Sequence, residues 1–299
     1  LKPTITAVGE VLCDLLPERQ RAGGAAANYA FHAQALGASV NLISRIGDDA
    51  HGRFLSAHLA SNRLATGGIQ IDPQMPTGTA AVLLSDDGVP SFDITPNVAW
   101  DRIAATADAL AQAGRADAVY FGSLAQRSPN SREAVRALVS ATPPGSLRIF
   151  DPNLRSPALD QETLRWSIDA ANVVKLSEEE LCALAPVLGL AGEAHDCLAQ
   201  LGRSRNLRAA TLTRGARGSL LWTPAETAEA LGIEAAIQDT VGAGDSYLAA
   251  LTLGLLFNWP ASQVVQRANQ IAAFVCTQSG AMPSLPYMLR APFLSAISS

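Results

Sequence analysis

An α/β fold, with a mostly parallel central sheet flanked by helices and a small projecting β-sheet, is predicted from three observations. Short β-prone apolar runs alternate with helix-length segments over most of the 299 residues, the rhythm of parallel β-α units with right-handed crossovers. That rhythm breaks once, between residues 67 and 98, where three short β segments follow one another without a helix. A glycine loop, Asp239-Thr240-Val241-Gly242-Ala243-Gly244-Asp245, then stands directly before the long apolar segment Tyr247 to Phe257, as loops at the mouth of a helix do in such folds.

Taken in order, Thr4 to Val8 and Val11 to Leu16 are predicted strands with Gly9-Glu10 between them, and Arg21-Ala22-Gly23-Gly24 leads into an alanine-rich helix, Ala25 to Leu36. Strand Ser39 to Ile46, the turn Gly47-Asp48-Asp49 and a helix from about Ala50 to Leu64 follow. Gly67 to Ile71, Gly78 to Leu84 and Pro90 to Thr95 are the helix-free β segments, the last two joined by a hairpin turn at Ser85-Asp86-Asp87-Gly88. Helices over Arg102 to Ala113, Ser131 to Ser140 and Gln161 to Ala170 alternate with strands Ala118 to Phe121, Leu147 to Phe150 and Val173 to Leu176. Ser177 opens the next helix, and Ala183 to Gly202 reads as two short helices around Gly189 to Gly192. Strands Leu207 to Thr213 and Ser219 to Thr223 flank a glycine turn, and Ala235 to Ile237 is the last predicted strand. A helix from Pro260 to about Thr277 ends at Gly280, and Pro283, Pro286 and Pro292 predict an irregular tail.

Composition excludes several classes. Apolar residues make up 48% and charged residues 16%, which predicts one packed core, or a core with a small appendage. The formal charge is −5, and without a dense Lys/Arg run neither nucleic acid nor an anionic membrane is an expected partner. Cys13, Cys182, Cys197 and Cys276 lack metal-ligand spacing, so reduced thiols in a cytoplasmic protein are expected. No signal-peptide profile and no membrane-length apolar run is visible. His32, His51, His58 and His195 are too dispersed for a metal set, and nucleophile elbow, Walker loop and dinucleotide fingerprint are all missing.

The glycines around Ala243 let the backbone bend tightly and leave the first N–H groups of a helix available to an anion. Asp245, in that first turn, is placed to take a proton from a hydroxyl while amides stabilise a phosphoryl group. A glycine-softened loop with Asp245 as an ordinary N-terminal helix residue accounts for the same residues. Asp14, acidic within an apolar strand, is an acceptor for substrate hydroxyls or a capped or turn-facing aspartate. Gly23-Gly24 with Asn28 could face a polyol or serve tight packing alone. Asp151-Pro152-Asn153-Leu154-Arg155 follows a strand directly, where open α/β sheets gather ligand groups. Ser177-Glu178-Glu179-Glu180 reads as helix capping unless a phosphate lies nearby to bring a metal.

Gly23-Gly24-Ala25-Ala26-Ala27-Asn28, followed by Gly37 and Gly47-Asp48-Asp49, and the later Asp239 to Asp245 loop together resemble the two motifs of the ribokinase-like carbohydrate kinases, the PfkB family, over essentially the full chain. The resemblance implies a single domain, 1–299, with a lid formed by about 10–22 and 67–98. It implies Asp245 as base and the amides of Gly242, Ala243, Gly244 and Asp245 as an anion hole, with Asp14, Gly23, Gly24, Asn28 and Arg155 on the sugar. Thr213, Gly215, Gly218, Asn269 and Lys175 fall on the ATP side. Glu180 would act on Mg2+ through water, although Ser177 stands where the family has Asn. Asp239 and Val241 match positions whose carbonyls hold a monovalent cation, K+ being the candidate.

Within that family the stretches around Asp151 and Lys175 resemble the fructokinase branch, implying ATP-dependent phosphorylation of D-fructose at its 6-hydroxyl. A 2-keto-3-deoxygluconate kinase, or another sugar or nucleoside kinase, is the alternative, with Arg155 or Arg21 available to a sugar-acid carboxylate. A sugar-binding regulatory protein without catalysis is the different-class alternative, opposed by the presence of Asp245 and the glycine loop. A homodimer formed through the lid is the partner that the resemblance offers.

Overall fold

The computed structural model describes residues 2–17, 19–84, 90–154 and 160–298. The chain runs β1 (Thr4–Val8), β2 (Leu12–Leu16), β3 (Arg19–Gly23), α1 (Ala25–Ala35), β4 (Ser39–Gly47), α2 (Ala50–Ser61) and β5 (Ile69–Asp72). It continues through β6 (Thr79–Leu84), β7 (Pro90–Ile94), α3 (Ala107–Ala113), β8 (Ala118–Gly122), α4 (Pro129–Ala141), β9 (Leu147–Asp151), α5 (Gln161–Ala170) and β10 (Val173–Ser177). The last part is α6 (Glu178–Leu188), α7 (Ala194–Ser204), β11 (Ala209–Thr213), β12 (Ser219–Trp222), β13 (Thr227–Ala230), α8 (Ala243–Leu256), α9 (Ala261–Cys276) and α10 (Tyr287–Ser298).

A nine-stranded sheet has the order β13-β12-β11-β10-β9-β8-β1-β4-β5, parallel from β11 to β5 and antiparallel at β12 and β13. Strands β8 and β9 are almost wholly buried, which is why they read as continuous apolar runs rather than alternating ones. One apolar cluster packs α1, α8 and α9 on one face, and a second packs α4, α5 and α7 on the other. The chain winds from β1 outward to β4 and β5, then restarts at β8 on the other side of β1. That reversal opens a crevice at the carboxyl ends of β1 and β8, where α/β sheets bind ligands.

The second sheet, of order β3-β2-β6-β7, stands apart from the first. β2 and β3 form an antiparallel hairpin that places Asp14 opposite Arg21, and β2 pairs parallel with β6, Cys13 against Thr79. Asp49, the N-cap of α2, ties this sheet to the core. Its carboxylate accepts the Gly52 N–H at 2.7 Å, the Thr77 N–H at 2.8 Å and the Thr77 hydroxyl at 2.7 Å.

Five expectations change. The 67–71 segment does not project: β5 extends the main sheet beside β4, Ser44 against Ile69, and Asp72 pairs with Arg45 at 3.0 Å. From the 67–98 range, therefore, only β6 and β7 enter the small sheet. Of the expected lead-in Arg21-Ala22-Gly23-Gly24, the first three residues belong to strand β3 (Arg19–Gly23), paired along its full length with β2. The helix expected from Arg102 starts at Ala107, because the Thr106 hydroxyl caps it through the Ala109 N–H at 3.2 Å, while Ala99–Arg102 is a single 3-10 turn. Ala235 to Ile237 is irregular, with Ile237 64% exposed, and the strand is instead β13, antiparallel to β12. The tail is irregular through Pro283 and Pro286 but helical from Tyr287: Phe293 of α10 is fully buried, its ring 4.9 Å from that of Trp259, and apolar burial outweighs the cost of Pro292. The expected Ser85 to Gly88 turn and Arg155 lie outside the described residues.

Candidate active site

Two cavities meet at Thr240 and Gly244, which line both. The smaller, about 220 Å³, lies between the core and the small sheet, with Asp14, Ala80 and Ile94 supplied by the latter. Core elements supply Glu10, Gly24, Asn28, Asp151, Lys175 and Asp245. The larger, about 620 Å³, is lined by Thr213, Gly215, Gly218, Ile233, Asn269 and Ala272, among others.

Backbone conformation shapes the walls. Gly24 has φ +104, and a Cβ there would lie 2.4 Å from the Glu10 carbonyl; at Gly23 a Cβ would lie 2.4 Å from Asp14 Oδ2. The glycine pair thus lets α1 begin against the acidic residues of the cavity. Glu10 Oε1 accepts the Ala25 N–H at 3.0 Å, securing that helix start. One turn on, Asn28 Nδ2 donates to Asp245 Oδ2 at 2.8 Å, joining the two sequence motifs across the cavity. The Asn28 Oδ1 atom is buried with no partner among the described residues, an acceptor that a ligand hydroxyl would satisfy.

Gly242, the N-cap of α8, has φ +82, and a Cβ there would fall 2.7 Å from the Ala281 backbone. The Ala243 N–H turns to the Thr240 carbonyl at 3.3 Å, and the Ser246 N–H is the one that closes onto Gly242 at 2.9 Å. Gly244 therefore presents the first turn of α8 where the cavities join, at the positive end of the helix dipole.

Lys175, expected on the nucleotide side, lines the smaller cavity. Its ammonium lies 3.1 Å from Asp151 Oδ1 and 3.8 Å from Glu180 Oε2, and a Gly244 Cβ would be 3.5 Å from it. Burial alone would lower the Lys175 pKa, but Asp151 and Glu180 more than offset this and hold it above its ordinary value. Burial raises Asp151 to about 7; Lys175 opposes the shift, and Glu180 and Asp245 add to it. Glu180 accepts the Leu154 N–H at 2.9 Å and the Ser177 N–H at 2.8 Å, while the Ser177 hydroxyl accepts the Glu180 N–H at 3.2 Å. Ser177 at the usual Asn position thus makes a capping box.

In the larger cavity the Asn269 amide is engaged by the protein itself. It donates to the Ala230 and Leu231 carbonyls at 3.1 and 3.2 Å and accepts the Ser219 hydroxyl at 2.9 Å, fixing the end of β13. Gly218, φ +87, makes room for the Ala230 carbonyl 2.0 Å from where its Cβ would sit, whereas Gly215 faces open space. Among the described residues no cluster of three His, Cys, Asp or Glu could hold a metal, and no helix is long and apolar enough to cross a membrane.

The structure brings together all the described sugar-side residues expected from the sequence, and separately gathers Thr213, Gly215, Gly218 and Asn269. Glu10 was absent from those expectations; its signal was a buried acid adjoining the first strand, unreadable until Gly24 was known to pack on its carbonyl.

A glycine-rich helix start between a carboxylate-lined cavity and a larger one is the arrangement of a phosphotransferase. The pfkB family carbohydrate kinase model matches residues 17–288, and the chain belongs to that family. A fructokinase of Vibrio alginolyticus is 30% identical over 297 residues, covering 93% of this chain and 94% of the relative. The crystal structure of Xylella fastidiosa fructokinase with bound ATP superposes with a TM-score of 0.84 at 25% identity, covering 100% of both chains. A double mutant of Vibrio cholerae O395 fructokinase, bound to fructose, ADP and a potassium ion, gives 0.81 at 25% identity over 98% of each chain. The protein is an ATP-dependent sugar kinase.

Proposed function

We propose that the protein transfers the terminal phosphoryl group of ATP to the 6-hydroxyl of D-fructose. The observation that carries this reading is the charge of the smaller cavity. Among the described residues Glu10, Asp14, Asp151 and Asp245 supply four carboxylates, and the one cationic side chain lining the cavity, Lys175, is already paired with Asp151. A neutral polyol can donate hydroxyls to such a wall, whereas a sugar acid would meet like charge. Arg21, an arginine that could have served a sugar acid, is engaged by Asp239 at 2.8 Å. The fructokinase relatives support the same choice.

In this reading Asp14 and Asn28 hold the sugar, and Asp245 takes the proton of the attacking hydroxyl as its oxygen bonds to phosphorus and the bond to the departing ADP breaks. The amides at the start of α8 stabilise charge on the transferred group. ATP occupies the larger cavity, its phosphates reaching the junction at Gly244. Lys175 fits beside those phosphates, and Glu180, fixed by two backbone N–H groups, would meet Mg2+ through water. When bound, the ion supplies charge neutralisation on the phosphates. The small sheet serves as the lid, excluding water from the transfer.

The test is steady-state turnover across fructose, ribose and 2-keto-3-deoxygluconate, with the phosphorylated carbon assigned by 31P-coupled NMR. Fructose is expected to lead the keto-acid by about 100-fold or more in kcat/KM. Preference for the keto-acid would reject the charge argument.

A further inference from the structure

Arg21 stands on lid strand β3, opposite Asp14, yet its guanidinium leaves the lid. Nη1 donates to Asp239 Oδ2 at 2.8 Å and Nη2 to the Ser279 hydroxyl at 2.6 Å. The same Asp239 oxygen accepts the Gly280 N–H at 3.0 Å, and Oδ1 accepts the Val241 N–H at 3.1 Å. Asp239 therefore clasps the loop before α8 to the segment around Gly280, with Arg21 as the cation of the clasp. Gly242 packs on Ala281 of that segment, so a displacement of the clasp would move the first amides of α8.

The family resemblance puts a monovalent cation at Asp239 and Val241, and one fructokinase relative holds potassium. The residues present here do not fit a second cation. The charge that would draw an ion to those two carbonyls is that of the Asp239 carboxylate, whose oxygens already accept N–H groups and which the Arg21 guanidinium 2.8 Å away neutralises, so that a second cation would meet like charge. We propose that Arg21 replaces the monovalent cation: it is a positioning residue that fixes the anion-hole loop and makes turnover independent of K+. This rests on the reading of the loop as the phosphoryl-binding element. It also makes the loop answer to the lid strand that faces the sugar.

Turnover with ATP and fructose, and the melting temperature without sugar, are compared in KCl and choline chloride at about 100 mM, which equalises screening. Wild-type protein and Arg21→Lys are expected to behave alike in the two salts by both readouts. For Arg21→Met, kcat is expected to fall about 10-fold or more in choline chloride with the KM for fructose within about twofold. KCl should restore most of that loss and raise the melting temperature of this variant alone. Potassium stimulation or stabilisation of the wild type would overturn the proposal, as would a loss in Arg21→Met that potassium fails to restore, or no loss at all. Should Arg21→Met not fold, the wild-type and Arg21→Lys arms still decide. If fructose is not turned over, the substrate reading fails while the melting comparison judges Arg21 independently.

Discussion

Asp245 illustrates how a residue's chemistry comes from what surrounds it. It is 8% exposed, sits in the first turn of α8, and receives the Asn28 amide at 2.8 Å. Asp245→Asn keeps shape and an acceptor for Asn28 but abolishes the proton acceptor. Turnover is expected to fall roughly 100-fold or more, with the melting temperature moving only a few degrees. Rapid-quench and thermal-melt measurements check both, and turnover within tenfold of wild type would remove Asp245 from the role of base. Gly242 shows the complementary case, where a missing side chain lets the backbone turn. Its φ of +82 and the Ala281 backbone 2.7 Å from a would-be Cβ leave no room for another residue.

At the scale of elements, the site depends on how α1 and the segment around Ala281 are held together. His32, fully buried on α1, meets the Ala281 carbonyl at 2.8 Å through Nε2, which assigns the proton of the neutral ring to that nitrogen. Burial lowers the imidazole to about 4, the Ala281 hydrogen bond opposing the shift. Because the folded value lies below the ordinary 6.5, the neutral ring's contribution is complete above about pH 6.5 and is lost as the pH falls towards 4, a change of about 3 kcal/mol. Asp151, raised by burial to about 7, acts in the opposite sense: its contribution is largest at low pH and is lost as the pH climbs from about 4 to 7. The two are separated by comparing wild type with His32→Gln, which keeps a donor for Ala281 but cannot titrate. In urea unfolding, wild type is expected to lose about 3 kcal/mol relative to the variant between pH 6.5 and pH 4. Equal pH slopes would mean that His32 takes up its proton alike in the folded and unfolded states, and would reject its depressed value.

At the scale of the whole molecule, a carboxylate-lined cavity lies between the core and the small sheet and a larger cavity beyond α8, joined at one helix start. No metal cage exists among the described residues, so the divalent ion is expected to arrive with the nucleotide phosphates. Chelation by EDTA should therefore abolish turnover while calorimetric fructose affinity, measured without nucleotide, stays within about threefold. Loss of fructose binding on chelation would place the ion in the sugar cavity instead.

The α/β alternation and both glycine motifs were legible in the chain because their physics is local. Strand burial, helix starts and tight turns each leave short-range patterns, and those at Gly24, Ser177 and Gly242 were readable as helix starts. What the tertiary structure alone decided was partnership. β5 joined the core because β4 offered an edge, and α10 formed despite Pro292 because Phe293 found Trp259. Lys175 lines the smaller cavity because Asp151 and Glu180 converge on it. Arg21 met Asp239 across 218 residues of chain, a contact without local signature, since the energy of an ion pair depends on distance in space and not on separation in sequence.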